Sequence, residues 1–287
     1  MPESLVNTFK PLGPAPIQDP FRMELNIANP WGSGIATGAI NTLCMVQDEK
    51  TKDGILYAGA AAGGVWGRTY VGATDLWGEW KWLSSASGYE GAQSISKIKV
   101  STGNKWLVAA QGATSSWISL QGHIDKPLQV AERLADGSIK WIANGEKIQD
   151  EINGQAITAL ETADDLVIVG SKKGLYISSI DAAGKLTTVV AAANLNGTPS
   201  NYITSIAKGE SGRLYAAILG KGIYTTTVAE LKINPAKEWN FINSSEELSN
   251  GKSMLRLATS RDPLTGKDIV FLGTGKTFPE ENVFGRP

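Results

Sequence analysis

The chain has 287 residues and a formal net charge of −1, with 27 Lys and Arg residues against 28 Asp and Glu residues. Its length allows a large core, and its balanced charge argues against a nucleic-acid partner, which would need a basic surface. Cys44 and His123 are the single cysteine and the single histidine. They exclude an internal disulfide and argue against the usual zinc and copper sites, so we expect no metal and no cofactor.

Residues 1–30 are predicted to form an extended N-terminal lead-in. Within it, residues 21–27 alternate apolar and polar side chains and are the candidate for a strand that closes the fold. Residues 1–18 lack the charged head and apolar stretch of a signal peptide, and no run approaches the roughly 18 apolar residues of a membrane helix. We expect no membrane partner, and either a cytoplasmic location or export by a route that needs no signal peptide.

Residues 31–287 repeat one pattern five times. A short run ending in Ile or Leu is followed by an apolar run ending in a small residue or Gly, and then by Gly before large apolar residues. The copies are spaced about 45 to 60 residues apart, as propeller blades are, and their first runs centre on Ile40, Ile95, Ile157, Ile203 and Leu255. The sequence predicts an all-β propeller of about five four-stranded antiparallel blades, near residues 39–84, 94–143, 156–191, 202–243 and 254–287.

The later part of each copy supports this architecture. Aromatic and polar residues alternate in the candidates for the fourth strands, which are residues 80–83, 139–142, 186–190 and 238–242. Residues 46–60 align with residues 260–274 without a gap, which indicates two equivalent hairpins. Helical periodicity is nearly absent, and the best helical candidate, residues 128–134, precedes a turn and is predicted as a strand.

Residues 55–69, with Gly63-Gly64-Val65-Trp66 at their centre, resemble the BNR and sortilin-like propeller repeat. Sialidases, xyloglucanase-like glycoside hydrolases and photosystem assembly factors share that repeat. Residues 271–275 with 282–286 look like a second such strand pair. The Asp box of the family has no clean match, because residues 179–184 carry its Ser-x-Asp start with the Gly one place late.

The resemblance implies a propeller and leaves its closure open. Either an N-terminal strand completes the last blade, or the chain is a partial propeller, truncated from a larger one. We favour the second alternative, because Gly285-Arg286 would continue into a third strand in the family.

Catalysis by carboxylates remains possible, since two facing acids suffice for glycoside hydrolysis. Most of the candidates lie in turns, where Asp is favoured for local hydrogen bonding; they are Asp75, Glu79, Glu90, Asp125, Asp164 and Asp165. Other acidic groups could line a calcium loop, but their spacing favours ordinary hairpin turns; they are Asp48, Glu49, Asp53, Asp262 and Asp268. No catalytic residue can be assigned, and an enzyme is the less favoured interpretation.

Tryptophan is the remaining signal in the sequence, and packing is its favoured role, although exposed rings could stack on sugars or anchor a protein partner. The weak candidates are one aromatic cluster and one loop: Trp77, Trp80, Trp82 and Tyr89, and Trp117 with His123. Four other tryptophans occupy strand positions and are expected to pack between blades: Trp66, Trp106, Trp141 and Trp239.

The favoured function is a non-catalytic binding module, part of a larger protein, that holds a protein or carbohydrate ligand on a propeller face. The alternative is a glycan-active enzyme with paired carboxylates, similar to xyloglucanase-like hydrolases or sialidases. A chaperone or assembly factor similar to the photosystem-associated propellers is a third possibility. The enzyme hypothesis predicts two facing acids with perturbed pKa values in a groove, and the binding hypothesis predicts an aromatic or polar patch on one face.

Overall fold

The structure is a computed structural model, and it describes residues 17–18, 35–36, 40–60, 63–89, 94–112, 127–134, 137–143, 152, 157–187, 189–195, 201–243 and 253–276. Antiparallel sheets dominate these residues. A short pair of strands comes first, β1 (Ile17–Gln18) and β2 (Ile35–Ala36). Five larger sheets follow it in chain order.

Sheet 1 contains β3 (Ile40–Gln47), β4 (Gly54–Ala60), β5 (Val65–Val71), β6 (Leu76–Trp77) and β7 (Lys81–Trp82). Sheet 2 contains β8 (Ile95–Val100), β9 (Trp106–Gln111), β10 (Leu128–Arg133) and β11 (Ile139–Ile142). Sheet 3 contains β12 (Ile157–Ala163), β13 (Leu166–Ser171), β14 (Leu175–Ser179) and β15 (Val190–Ala191). Sheet 4 contains β16 (Ile203–Lys208), β17 (Arg213–Ile218), β18 (Gly222–Thr227) and β19 (Asn240–Asn243). Sheet 5 contains β20 (Ser253–Arg261) and β21 (Asp268–Lys276).

The order of the sheets is that of a β-propeller. Strands within each sheet pair antiparallel with their sequence neighbours, except that β7 pairs with β5. The first strand of each sheet contacts the first strand of the next, so that β3, β8, β12, β16 and β20 follow one another. This arrangement confirms the predicted all-β propeller with about five blades.

Hydrophobic cores fill the spaces between successive sheets. The core between sheets 1 and 2 includes Tyr57, Val65, Ile98, Leu107 and Trp141. The core between sheets 2 and 3 includes Val108, Val130, Leu160, Val169 and Tyr176. The core between sheets 3 and 4 includes Ile168, Ile177, Ile206, Ala216 and Trp239. A smaller core between sheets 4 and 5 contains Ala217, Leu255, Leu257 and Leu272.

The first strand of each of sheets 1 to 4 contains a bulge, and in sheets 1 and 3 its polar side chain bonds to the next sheet. The strand register shifts across Asn41, Ser96, Thr158 and Thr204. Asn41 Nδ2 donates to the backbone oxygen of Ile95 in the next sheet at 2.9 Å. Thr158 Oγ1 donates to the backbone oxygen of Ile203 in the same way. The bulge residues of sheets 1 and 3 therefore bond to the next sheet, whereas Ser96 and Thr204 donate within their own sheets.

Close packing against the next sheet explains why each second run ends in a small residue. A Cβ on Gly59 would lie 2.5 Å from Ile95 Cγ2, and one on Gly170 would lie 2.6 Å from Ile203 Cγ2. These distances are far below van der Waals contact. The isoleucine that opens each following sheet thus occupies the space that a larger side chain would need.

The gap-free match of residues 46–60 with residues 260–274 is confirmed by the strand registers. Cys44 pairs with Tyr57, and Ala258 pairs with Phe271 at the equivalent position. Both hairpins close with the same turn, in which an Asp carbonyl accepts from the amide four residues later. That amide belongs to Lys52 or to Gly266, and both residues have a positive φ, of 63° and 67°.

Some elements depart from the sequence pattern. Residues 128–133 form a strand as predicted, but the fourth strands β7 and β15 are only two residues long. A helix that periodicity did not predict, α1 (Val228–Ile233), begins at a capping box of Thr227 and Glu230. Leu83–Ser85 form a turn of 3-10 helix. Among the described residues, no helix is long and apolar enough to span a bilayer. The proposed closing strand at residues 21–27 lies outside the described part.

Candidate functional site: the outer face of sheet 1

Strand β3 divides its side chains between a buried and an open side. Cys44 and Val46 pack into the core between sheets 1 and 2. Leu43 and Met45 alternate with them and are 61% and 42% exposed. Successive strand residues point to opposite faces, so Leu43 and Met45 mark the side of sheet 1 that faces away from sheet 2. We call this side the outer face.

Aromatic side chains extend the outer face across β5. Trp66 pairs with Trp82 in register, and Tyr70 pairs with Trp77. The Trp66 and Trp82 rings are stacked with centroids 6.3 Å apart, and the Tyr70 and Trp77 centroids lie 4.9 Å apart. Arg68 lies between these pairs on β5, with its guanidinium carbon 5.4 Å from the centroid of Trp77. Leu43 and Met45 of β3 and the aromatic pairs of β5 thus lie on the same face of sheet 1.

The polar atoms of this surface bond within the sheet itself. Trp66 Nε1 donates to the backbone oxygen of Gly63 at 2.8 Å, and Arg68 Nε donates to that of Gly78 at 2.5 Å. The Tyr70 hydroxyl donates to Asp75 Oδ1 at 2.7 Å, and this hydrogen bond raises the pKa of Tyr70. These groups are already engaged, so the face offers mainly apolar area to a partner.

The predicted aromatic cluster separates into different places. Trp77 and Trp82 lie on the outer face, and Trp82 is 47% exposed. Trp80 is partly buried, and its Nε1 has no hydrogen-bond partner among the described residues. Tyr89 instead packs edge-on against Trp141 at 4.7 Å, beside the core between sheets 1 and 2, where burial raises its pKa to about 12. Trp117 and His123 lie outside the described residues.

Sequence reasoning missed the aliphatic half of the surface. Leu43, Met45 and Tyr70 were not predicted as site residues, although β3 and β5 alternate in the sequence. Trp66 was expected to pack between blades, but it lies partly exposed on the outer face. The other three tryptophans of that group are buried: Trp106, Trp141 and Trp239.

A second open face lies at the other end of the sheet series. Leu257 and Leu272 of sheet 5 pack toward sheet 4. Ile269 and Phe271 alternate with Leu272 on β21 and are 40% and 54% exposed. Phe271 is the register equivalent of Tyr57, which is buried against sheet 2. The two ends of the series therefore expose opposite halves of the same kind of interface.

Asp164 and Asp165, two of the predicted catalytic candidates, are engaged in a local ion pair with Lys232. Lys232 Nζ lies 2.7 Å from Asp164 Oδ2 and 3.6 Å from Asp165 Oδ1. The Lys232 hydrogen bond lowers the pKa of Asp164. The carboxyl groups with shifted pKa values, Asp48, Asp164, Glu230, Asp262 and Asp268, all shift downward. A general acid needs the opposite shift.

The acidic residues of the hairpin turns accept hydrogen bonds from backbone amides of the same turns. Asp48 Oδ1 accepts from the amides of Lys50 and Thr51 at 2.9 and 2.8 Å. Asp181, in the stretch that begins like an Asp box, accepts from the amides of Ala183 and Lys185 at 2.9 and 2.8 Å. No group of three or more metal-binding side chains is found within the described part of the chain. Glu90 and Asp125 fall outside that part.

Comparisons with known proteins show similarity in structure alone. No family model matches the chain, and no curated protein matches it. PorZ, a surface component of the type-IX secretion system of Porphyromonas gingivalis, has a TM-score of 0.49 at 15% identity over 81% of this chain. The extracellular domain of a putative hybrid two component system from B. thetaiotaomicron has a TM-score of 0.46 at 15% identity over 80% of this chain. The Swd1 β-propeller domain of Myceliophteria thermophila has a TM-score of 0.41 at 15% identity over 67% of this chain.

The matched chains are longer than this one. The aligned region spans 31% of the PorZ chain, 27% of the two component chain and 54% of the Swd1 chain. The propeller assignment rests on the sheets and their order. The resemblance to the BNR and sortilin-like repeat stays a prediction, because no family model matches.

Proposed function

We propose that this chain is a non-catalytic interaction module, part of a larger protein assembly, that binds a protein through the outer face of sheet 1. The observation that supports this most is the exposed alternate set on β3, where Leu43 is 61% exposed on the same face as the Trp66–Trp82 stack. Contiguous apolar surface of this kind marks protein interfaces.

The partner is an apolar β-sheet face. In sheet 5, Leu257 and Leu272 occupy the positions of Leu43 and Ala58 in sheet 1, as the shared strand registers show. Those residues of sheet 5 pack on sheet 4. The outer face of sheet 1 is therefore built like the side by which sheet 5 receives its neighbour, and another blade-type sheet fits it.

A protein partner suits this face better than a carbohydrate. Sugar sites combine a flat exposed ring with convergent polar groups. Here Trp66 stacks on Trp82, and Arg68 and Tyr70 lie against Trp77. The adjoining Leu43 and Met45 add aliphatic area, which packs against apolar side chains and not against hydroxyl groups.

The outer face of sheet 1 can be tested with a second copy of the protein as the probe, because that copy presents the exposed side of sheet 5, with Ile269 and Phe271. We expect purified protein to associate head to tail in sedimentation velocity, because the two ends expose opposite halves of one interface. Leu43→Asp and Phe271→Asp should each weaken association at least tenfold. A mixture of the two variants should form a 1:1 dimer, since each retains the half that the other lacks. Leu264→Asp, at a turn residue that is 93% exposed, is the matched control.

The proposal fails if the protein stays monomeric at high concentration and Leu43→Asp leaves the binding of a hydrophobic dye unchanged. The glycan-active alternative needs two facing acids, one of them with a raised pKa. Turnover of a chromogenic glycoside or a polysaccharide by the purified chain, lost on replacing a single carboxylate, would establish it in place of the binding module.

A further inference from the structure

A cavity of about 460 Å³ opens where the first strands of four successive sheets end. We call it the axial cavity, because its wall is built by β3, β8 and β12 and by the last residue of β16. The residues of the wall that can carry charge are Cys44, Lys99, Glu161 and Lys208. The volume is many times that of a single water molecule and falls in the range of sites for small organic molecules.

The strand registers bring these side chains together. Cys44, Lys99 and Glu161 each lie two residues after the position at which the register resumes beyond the bulge, in β3, β8 and β12 respectively. The equivalent residue of β16 is Ala207, which Lys208 follows. Lys99 Nζ donates to Glu161 Oε2 at 2.8 Å, so equivalent positions of neighbouring sheets are in direct contact here.

The Lys99–Glu161 pair leaves the cavity with an excess of positive charge. Glu161 is 10% exposed, and its other oxygen accepts from the amide of Thr162 at 3.0 Å. Both oxygens of this carboxylate are therefore engaged. Lys208 forms no ion pair with a carboxylate in the described part of the chain. Burial raises the pKa of the Cys44 thiol, which adds no charge at neutral pH.

Two lysines against one carboxylate give the wall a net charge of +1, in a chain whose net charge is −1. The Lys99 side chain is 37% exposed, and the described residues use one of the three N–H groups of its ammonium. Lys208 is partly buried, so water screens its charge less than at an open surface. An anion is therefore the ligand that this wall favours.

Bonds between sheets 2 and 3 hold part of the wall in place. Thr162 Oγ1 donates to the backbone oxygen of Val100 at 2.9 Å, and the amide of Asp164 donates to Thr102 Oγ1 at 2.9 Å. Thr102 and Thr162 both belong to the wall, and so does the apolar side chain of Val100. The cavity is thus preformed, and it offers hydroxyl and apolar groups beside its two ammonium groups.

We propose that the axial cavity binds a small organic carboxylate, whose charge is neutralised by Lys99 and Lys208. The two ammonium groups are compact point charges and can donate to carboxylate oxygens while Lys99 keeps its bond to Glu161. The volume leaves room for an organic body beside Val100 and Thr102. This site takes a small molecule and is additional to the protein interface proposed on the outer face of sheet 1.

The single cysteine of the chain provides the test, because Cys44 belongs to the cavity wall. Iodoacetate and iodoacetamide are similar in size, and each alkylates a thiolate when the sulfur displaces iodide and a thioether forms. Iodoacetate alone carries a carboxylate. The same thiolate attacks both reagents, so the ratio of their rate constants cancels the ionised fraction of Cys44 and reports the preference of the cavity for a carboxylate.

We expect this ratio, iodoacetate over iodoacetamide, to exceed that of free cysteine about tenfold at low salt. Lys208→Gln should lower the ratio several-fold, because it removes the cation that has no carboxylate partner among the described residues. Lys50→Gln, in the exposed turn between β3 and β4, is the matched control and should keep the ratio of the parent protein. A ratio equal to that of free cysteine, or one that Lys208→Gln leaves unchanged, would overturn the proposal.

Unreactive probes separate binding from mere attraction. Lactate should slow the alkylation of Cys44 by iodoacetamide in a saturable way, whereas the uncharged lactamide, at an ionic strength matched with chloride, should not. Lactate that protects no better than lactamide would contradict the proposal, since it would show attraction without a binding site. So would a folded protein that neither reagent modifies although both modify it in urea, because a cavity closed to them admits no ligand.

Discussion

Sheet 3 and sheet 5 are copies of one unit with different surroundings. All six residues of β13 in sheet 3 are buried, because sheets 2 and 4 cover its two sides. In β21 of sheet 5, exposure alternates, with Phe271 54% exposed and Leu272 packed toward sheet 4. The exposure of an apolar strand residue in this protein therefore depends on the neighbouring sheet as much as on the strand itself.

The glycines at the ends of the second runs show the same difference. A Cβ on Gly170 would meet Ile203 of the next sheet at 2.6 Å, whereas one on Gly273 would find its nearest neighbour, in its own sheet, at 3.8 Å. The glycine is required in sheet 3 by a contact that sheet 5 lacks among the described residues.

The largest expected effect is the difference between truncating a buried residue of sheet 3 and a half-exposed residue of sheet 5. Ile168 is fully buried between sheets 3 and 4. Ile168→Ala should lower the unfolding free energy of the protein by about 3 kcal/mol, because burial is lost and a cavity is left behind. Phe271→Ala removes a larger side chain from sheet 5 but should cost less than about 1 kcal/mol, because that ring is half exposed. Urea unfolding measures both. Equal losses would show that the outer side of sheet 5 is covered.

A pair of glycine-to-alanine substitutions compares sheets 3 and 5 through one added methyl group in each. Gly170→Ala should destabilise by about 1–3 kcal/mol, because the added methyl group forces Ile203 to move. Gly273→Ala should be neutral, or slightly stabilising through the unfolded state. The midpoint of chemical unfolding gives both values. A costly Gly273→Ala would contradict the open position of sheet 5.

Hydrogen bonds between first strands give a smaller difference. Thr162 Oγ1 donates to the backbone oxygen of Val100 at 2.9 Å, and Thr259 Oγ1 donates to that of Lys208 at 2.7 Å. Thr162→Val should cost about 1 kcal/mol, because Thr162 is buried and the carbonyl loses its partner. Thr259→Val should cost less, since Thr259 is only partly buried and water can reach the carbonyl. Thermal unfolding of the two variants tests this order.

The smallest effect concerns the cap of α1. The Lys237 hydrogen bond, and then that of Thr227, lower the pKa of Glu230 from 4.5 to about 2. A lowered folded pKa stabilises the protein above pH 4.5, and this contribution is lost as pH falls toward 2. Glu230→Gln should therefore lower the melting temperature at pH 7 and make no difference near pH 2. A difference that persists at pH 2 would mean that the charge of Glu230 is not its cause.

The repeat made the architecture predictable. The first strands, the hairpin match of residues 46–60 with residues 260–274, and the strand at residues 128–133 all follow from spacing and turn chemistry, which are local properties. Helix α1 was missed because six residues are too few to show a helical period. Its capping box, Thr227 with Glu230, was the available signal.

The candidate site was only partly predictable, because burial depends on neighbours that are distant in sequence. Trp66 and Trp141 both occupy strand positions, yet Trp66 lies on the open side of sheet 1 and Trp141 lies in a core. Tyr89 follows Trp82 closely in the chain but packs on sheet 2.

Hydrogen–deuterium exchange, resolved to individual strands, tests the central claim most directly. That claim is that sheets 2 to 4 are enclosed on both sides and that sheets 1 and 5 each have one open side. Amides of β9, β13 and β17 should exchange slowest, and those of β21 should exchange much faster. Protection of β21 equal to that of β13 would contradict the claim.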